Sequence, residues 1–212
     1  MTVRRDAYRE AARCARTLLA DSRVARTWAA PSALAGFTVG GLAAHLAAQI
    51  HAVAAALDAG QGQYPTIPVL EHYARARWVG AGPDAEINVL IREQGQDAAG
   101  LGFAALLERA DLALADLTAR LPDVPEDRTV QPPAGPWTLT FDDFLLTRMM
   151  EISVHCDDLA ASIGAEPPDL PDAVIQPVLA LLATLAARRH GQSRVLRALT
   201  RAERAEGSIS AF

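Results

Sequence analysis

The chain has 212 residues, half of them hydrophobic and 5% aromatic, with a net charge of −5. That length supports one good-sized domain, and a composition rich in alanine and leucine favours helices over sheets. The acidic balance offers no basic face for nucleic acid or an anionic membrane.

The first element predicted is a helix over residues 3–22, with Ala7, Ala11, Cys14 and Leu18 on one side. Its charged start lacks the apolar core of a signal peptide. Asp21, Ser22 and Pro31 break the pattern, and Trp28 anchors the loop that follows. Thr38 is placed to cap a second helix over residues 39–59. Val39, Leu42, Leu46, Ile50, Val53 and Leu57 form its core stripe. His45 lies at the edge of that stripe beside Gly41, Ala48 and Ala52, which leave room for a ligand or another helix. His51 points the opposite way and is expected in solvent.

Gly60, Gly62, Pro65 and Pro68 make a loop before a short helix near residues 68–78. Helical patterning resumes over 84–121, with a break expected at Gly100 and Gly102. Five prolines make residues 122–137 an irregular connection. Trp137 and Phe141 bracket the start of a helix over 141–163, capped by Thr140 and ended by Gly164. Further helices are expected over 171–190 and 193–204, and the tail Gly-Ser-Ile-Ser-Ala-Phe is apolar enough to pack back. No segment reads as a membrane span, and no repeat is seen. Cys14 and Cys156 make neither a disulfide framework nor a Cys-x-x-Cys pair, which suits a reduced cytoplasm. All twenty basic residues are arginine, a mark of a GC-rich genome.

The helix over 141–163 carries the chemistry. One stripe is apolar: Phe141, Leu145, Met149, Ile152, Cys156, Leu159 and Ile163. A second is polar: Asp143, Thr147, Glu151, His155, Asp158 and Ser162. Phe144, Leu146, Met150 and Val154 hem in the polar stripe, so it reads as a pocket opening into a bundle. Glu151 and His155 sit one turn apart on one face and can share a metal ion. His45 is the candidate third ligand. Two imidazoles and a carboxylate are a common catalytic zinc set, with one position left for water or substrate. Asp158 can fix the tautomer of a ligand imidazole or act on substrate. Arg148, one turn before Glu151, can hold an anionic substrate or pair with the glutamate. His72 and His190 have no partner within sequence reach. Cys156 points into the core. Two bland readings compete. Glu151 and His155 are then an exposed surface pair, or the bundle binds a metal or small molecule without turnover.

The segments Phe-Thr-Val-Gly-Gly-Leu-Ala-Ala-His-Leu-Ala-Ala-Gln (37–49) and Arg-Met-Met-Glu-Ile-Ser-Val-His-Cys-Asp-Asp-Leu-Ala-Ala-Ser-Ile-Gly (148–164) resemble, in order and separation, the mycothiol-dependent maleylpyruvate isomerase N-terminal domain family. The likeness runs from about residue 5 to 190. It implies an all-α, DinB-like four-helix bundle over 1–190, with residues 191–212 as a C-terminal extension packing on it. It also implies a divalent metal, usually zinc, on His45, Glu151 and His155. Mycothiol would be the thiol co-substrate and a small electrophile the second substrate, for S-transfer or thiol-assisted isomerisation. Asp158 and Arg148 would orient the reactants. A cytoplasmic protein is expected, with no nucleic-acid or membrane partner, and a homodimer suits such bundles. The isomerase itself carries a further C-terminal domain, where this chain has only the short extension.

Overall fold

Side-chain caps set where several of the helices begin. The Thr2 hydroxyl accepts from the Arg5 N–H and opens α1, Val3–Leu19. The helix stops three residues short of the expected end. The Asp21 carboxylate takes the Arg23 N–H at 2.8 Å and starts a separate short helix, α2, Ser22–Arg26. Thr38 caps α3, Val39–Asp58, by accepting from the Gly41 N–H at 3.0 Å. Then come α4, Val69–Arg75, and α5, Glu86–Ala99. The long patterned stretch does break near Gly100, and α6, Phe103–Arg120, restarts from Gly102 at φ +86°. Thr140 caps α7, Phe141–Ile163, and Gly164 ends it in the left-handed conformation. The chain closes with α8, Asp172–His190, and α9, Gln192–Thr200. The computed structural model describes residues 2–133 and 135–212.

Four long helices, α1, α3, α6 and α7, make the bundle. Helix α3 is its centre and packs against α5, α6 and α7, while α1 packs against α6, α7 and α8. The stripe expected on α3 is buried from Val39 to Val53, with Leu57 half-covered. The apolar stripe of α7 is buried from Phe141 to Ile163. The fold is the expected all-α, DinB-like four-helix bundle with added short helices. At the C-terminal end, the Phe212 ring lies 4.7 Å from Trp78 and 5.8 Å from Tyr73, centroid to centroid.

Two expectations need correcting. Residues 122–137 are not wholly irregular: β1, Thr129–Val130, pairs antiparallel with β2, Leu139–Thr140. The ribbon is too short to show an alternating pattern, so its sequence gave no strand signal. Helix α3 does reach the length and mean hydropathy of a membrane span, 20 residues at 1.3. Two thirds of that stretch is covered by its neighbours, as in a central bundle helix.

Close approach explains the glycines that lead into α3. A Cβ on Gly40 would stand 2.5 Å from the Trp28 ring, which packs edge-on against Phe103. A Cβ on Gly95 of α5 would stand 2.9 Å from the Gly41 carbonyl. The room beside Gly41 is thus taken by another helix. Gly40→Val should destabilise the fold by about 1–3 kcal/mol, the usual range for overpacking. Urea denaturation would show it, and an unchanged midpoint would mean that Trp28 moves aside freely.

Candidate metal centre

The chemistry sits where α3 faces α7. The pairs His45–His155 and Gln49–Arg148 run in opposite directions, so the two helices are antiparallel there. The ligand atoms of His45, Glu151 and His155 all lie within 4.8 Å of one another. His155 Nε2 is 3.2 Å from Glu151 Oε2, and His45 Nε2 is 3.9 Å from the same oxygen. The two imidazoles meet edge-on with centroids 4.7 Å apart. Donor atoms at bond lengths of about 2.0–2.2 Å in a tetrahedral site stand roughly 3.3–3.6 Å apart. The cluster therefore fits a zinc-sized ion with little movement. The three side chains are 13–19% exposed, enough for one open face.

The surroundings set which atoms face inward. Asp158 Oδ2 lies 3.0 Å from His155 Nδ1, which leaves Nε2 for the cluster. Gln49, buried at 3% exposure, donates from Nε2 to the His45 carbonyl at 2.9 Å. Its Oε1 accepts from Arg148 Nη1 at 2.6 Å. Arg148 also donates from Nε to the Thr147 hydroxyl and lies over the Phe144 ring. Among the described residues no carboxylate pairs with Arg148, so the Glu-paired alternative does not hold. It opens instead onto a cavity of about 710 Å³ along the α3–α7 groove, lined also by Ala52, Ala56, Phe144, Gln61 and Gln131. Thr147 and Ser162 of the polar stripe are structural. Thr147 donates to the Phe144 carbonyl, and Ser162 donates to the Asp158 carbonyl and accepts from the Ala33 N–H.

The charges are arranged for a cation. Burial lowers the His45 pKa to about 4, helped by His155 and opposed by Glu151, so His45 is neutral. Burial alone would also lower His155; hydrogen bonds to Asp158 and Glu151, and their charges, lift it to about 9. Burial would raise Glu151, but His155, Arg148 and His45 overturn that and bring it down to about 2. Asp158→Asn keeps the shape but weakens the hold on Nδ1. Metal affinity should fall by about 10–100-fold, read by competition with a chelator. Unchanged affinity would mean that the tautomer is set elsewhere.

A family model described as the mycothiol maleylpyruvate isomerase N-terminal domain matches residues 8–160. The chain belongs to this family. Among solved structures it is similar to a mycothiol-dependent maleylpyruvate isomerase, at 22% identity and a TM-score of 0.54, over 89% of this chain and 69% of that one. A histidine-to-alanine mutant of a mycothiol-dependent maleylpyruvate isomerase matches with the same score and coverage at 20% identity. At those identities the likeness establishes the fold. No match is found among curated proteins.

For this member of the isomerase N-terminal domain family, the structure brings together all five residues singled out in the sequence. His45, Glu151 and His155 form the cluster, Asp158 touches His155, and Arg148 lies on the adjoining groove. Three histidines differ from expectation. His51 is half-buried rather than solvated, because α3 is covered on more than its core stripe; burial, then Arg109, lowers its pKa. His190 Nε2 lies 2.8 Å from the Ser210 carbonyl. His72 is buried and bonded to Trp137, 65 positions away. Sequence reasoning missed Gln49 and His72. The first was detectable, one turn beyond His45 on the same face; the second depends on a long-range contact with no local signal.

Proposed function

We propose that the chain is a metal-dependent enzyme that uses mycothiol to isomerise a small unsaturated keto acid of the maleylpyruvate class, or to transfer sulfur to a related electrophile. The His45–Glu151–His155 cluster carries this reading, and the similarity to mycothiol-dependent maleylpyruvate isomerases suggests the substrates. The three residues would hold a divalent ion, and zinc suits the two-imidazole, one-carboxylate set. When bound, such an ion supplies the positive charge that keeps a thiol deprotonated near neutral pH.

The chain's own residues do the rest. Asp158 orients His155, and Gln49 braces both the His45 turn and Arg148. Arg148 binds a substrate carboxylate at the mouth of the groove, where its guanidinium has no anionic partner to displace. Phe144, Ala52 and Ala56 give the groove beside Arg148 an apolar wall for the carbon skeleton of the substrate. In the isomerisation the thiolate adds to the conjugated double bond, the carbon–carbon bond left single rotates, and the thiolate is expelled. In the transfer the carbon–sulfur bond stays and the enolate left by the addition takes a proton from water. Cytoplasmic placement and a homodimer belong to the same proposal.

Metal-loaded protein should isomerise maleylpyruvate only when mycothiol is present, or else conjugate mycothiol to a bimane electrophile. The absence of both turnover and saturable thiol binding would sink the proposal. Thiol binding without turnover would favour a binding bundle.

A further inference from the structure

Helix α4 packs against α7, the helix of Glu151 and His155, and carries polar groups that neither the metal cluster nor Arg148 explains. It carries His72 and Tyr73, 5% and 2% exposed. Trp137 Nε1 lies 3.1 Å from His72 Nδ1. An indole N–H only donates, so Nδ1 accepts and the proton of the neutral ring sits on Nε2. Burial first, then the Arg148 charge, lowers the His72 pKa to about 4, so the ring is neutral near pH 7. Among the described residues no group accepts from Nε2–H. The Tyr73 hydroxyl is also buried with no partner. Burial raises its pKa, so it too stays a neutral donor. Both side chains lie close enough to feel the charges of Glu151 and Arg148. A buried donor without an acceptor is uncommon, and the Tyr73 hydroxyl is one, with the His72 ring 5.2 Å from its own, centroid to centroid.

We infer that α4 supplies the oxyanion-binding side of the reaction: His72 Nε2–H, held in that tautomer by Trp137, donates to the substrate carbonyl oxygen as sulfur adds, with Tyr73 beside it. The inference rests on the isomerase reading above. In the step, the thiolate lone pair forms the carbon–sulfur bond. The alkene pair shifts to the neighbouring carbon–carbon bond, and the carbonyl pair moves onto oxygen, giving an enolate. Rotation follows. The enolate collapses, the carbon–sulfur bond breaks and the thiolate leaves with its pair, so no proton is gained or lost. A neutral donor suits this sequence, because it stabilises the charge without quenching it.

The test uses full-length, metal-loaded protein with mycothiol and maleylpyruvate. His72→Phe should lower kcat by about 10²-fold, the usual effect of one oxyanion donor, with KM and metal content unchanged. His72→Gln, which keeps an N–H, should recover part of the loss. A kcat for His72→Phe within about twofold of wild type overturns the inference and leaves the isomerase reading standing. A second arm needs no turnover. Nitrogen-15 NMR of the imidazoles should show His72 as the Nε2–H tautomer, with that preference lost in Trp137→Phe. Oxalate, a planar dianion resembling an enolate beside a carboxylate, should shift the Nε2–H proton. An Nδ1–H tautomer, or a His72 signal unmoved while oxalate shifts the Arg148 side chain, overturns it.

Discussion

His155→Ala should remove the metal ion from the protein and abolish activity, while helix content stays near wild type. Of the two cluster imidazoles, His155 contributes the nitrogen closer to Glu151, and its other nitrogen is braced by the Asp158 carboxylate. Without it, His45 and Glu151 make a two-ligand site, too few for a structural or catalytic zinc. Elemental analysis and circular dichroism on the same sample would check both halves. A full complement of metal in His155→Ala would move the site elsewhere. The metal-free wild type has its own signature. His155 is lifted to about 9 and His45 lowered to about 4. From pH 6.5 up to about 9 the folded state holds a proton on His155 that the unfolded chain releases, so stability falls as pH rises. Below 6.5 the unfolded chain binds a proton on His45 that the folded state refuses, so stability falls as pH drops towards 4. Metal-free protein should therefore be most stable near pH 6.5, with a slope of at most about 1.4 kcal/mol per pH unit for each histidine involved, His155 on the basic side and both His45 and His72 on the acid side. Denaturant titrations across pH 4–9 would read this, and a flat profile would contradict it.

Arg148→Met should weaken the use of a carboxylate substrate by about 10–100-fold in kcat/KM. That is the range expected when one charge-assisted hydrogen bond, about 1.5–3 kcal/mol, is lost. The loss should fall mainly on KM, because a carboxylate remote from the reacting carbons is bound equally in ground and transition states. Arg148→Lys should recover little. A lysine keeps the charge but not the geometry that reaches Gln49 and Thr147 while lying over Phe144. Metal content should hold in both variants, since Arg148 touches no ligand atom. A loss confined to kcat would instead place Arg148 at the reacting atoms. No loss would mean that the groove receives the thiol rather than the acid.

The caps and the heart of the site were legible in the sequence for one reason: they are local. Thr38, Thr140 and Gly164 announce helix ends within four residues of the groups they satisfy. Glu151, His155 and Asp158 share one helix face, so spacing alone aligned them. His45 needed a guess about a second helix, and the small residues around it made that guess reasonable. Spacing could not show that Gly41 receives α5 or that Arg148 pairs with Gln49 across 99 positions. Nor could it separate the working middle of the polar stripe from Thr147 and Ser162, whose hydroxyls donate to backbone carbonyls. His72 was the furthest from reach. Its partner Trp137 arrives through the β1–β2 ribbon, and two-residue strands carry no periodic signal.

The most direct test of the proposed metal centre is a cobalt(II) titration of metal-free protein, followed by addition of mycothiol. One equivalent of cobalt should give the intense visible bands of a tetrahedral ion, absent in His45→Ala and His155→Ala. Mycothiol should then add a thiolate charge-transfer band in the near ultraviolet. Cobalt that binds with no defined stoichiometry, or equally well to the two variants, would contradict a metal site at His45, Glu151 and His155.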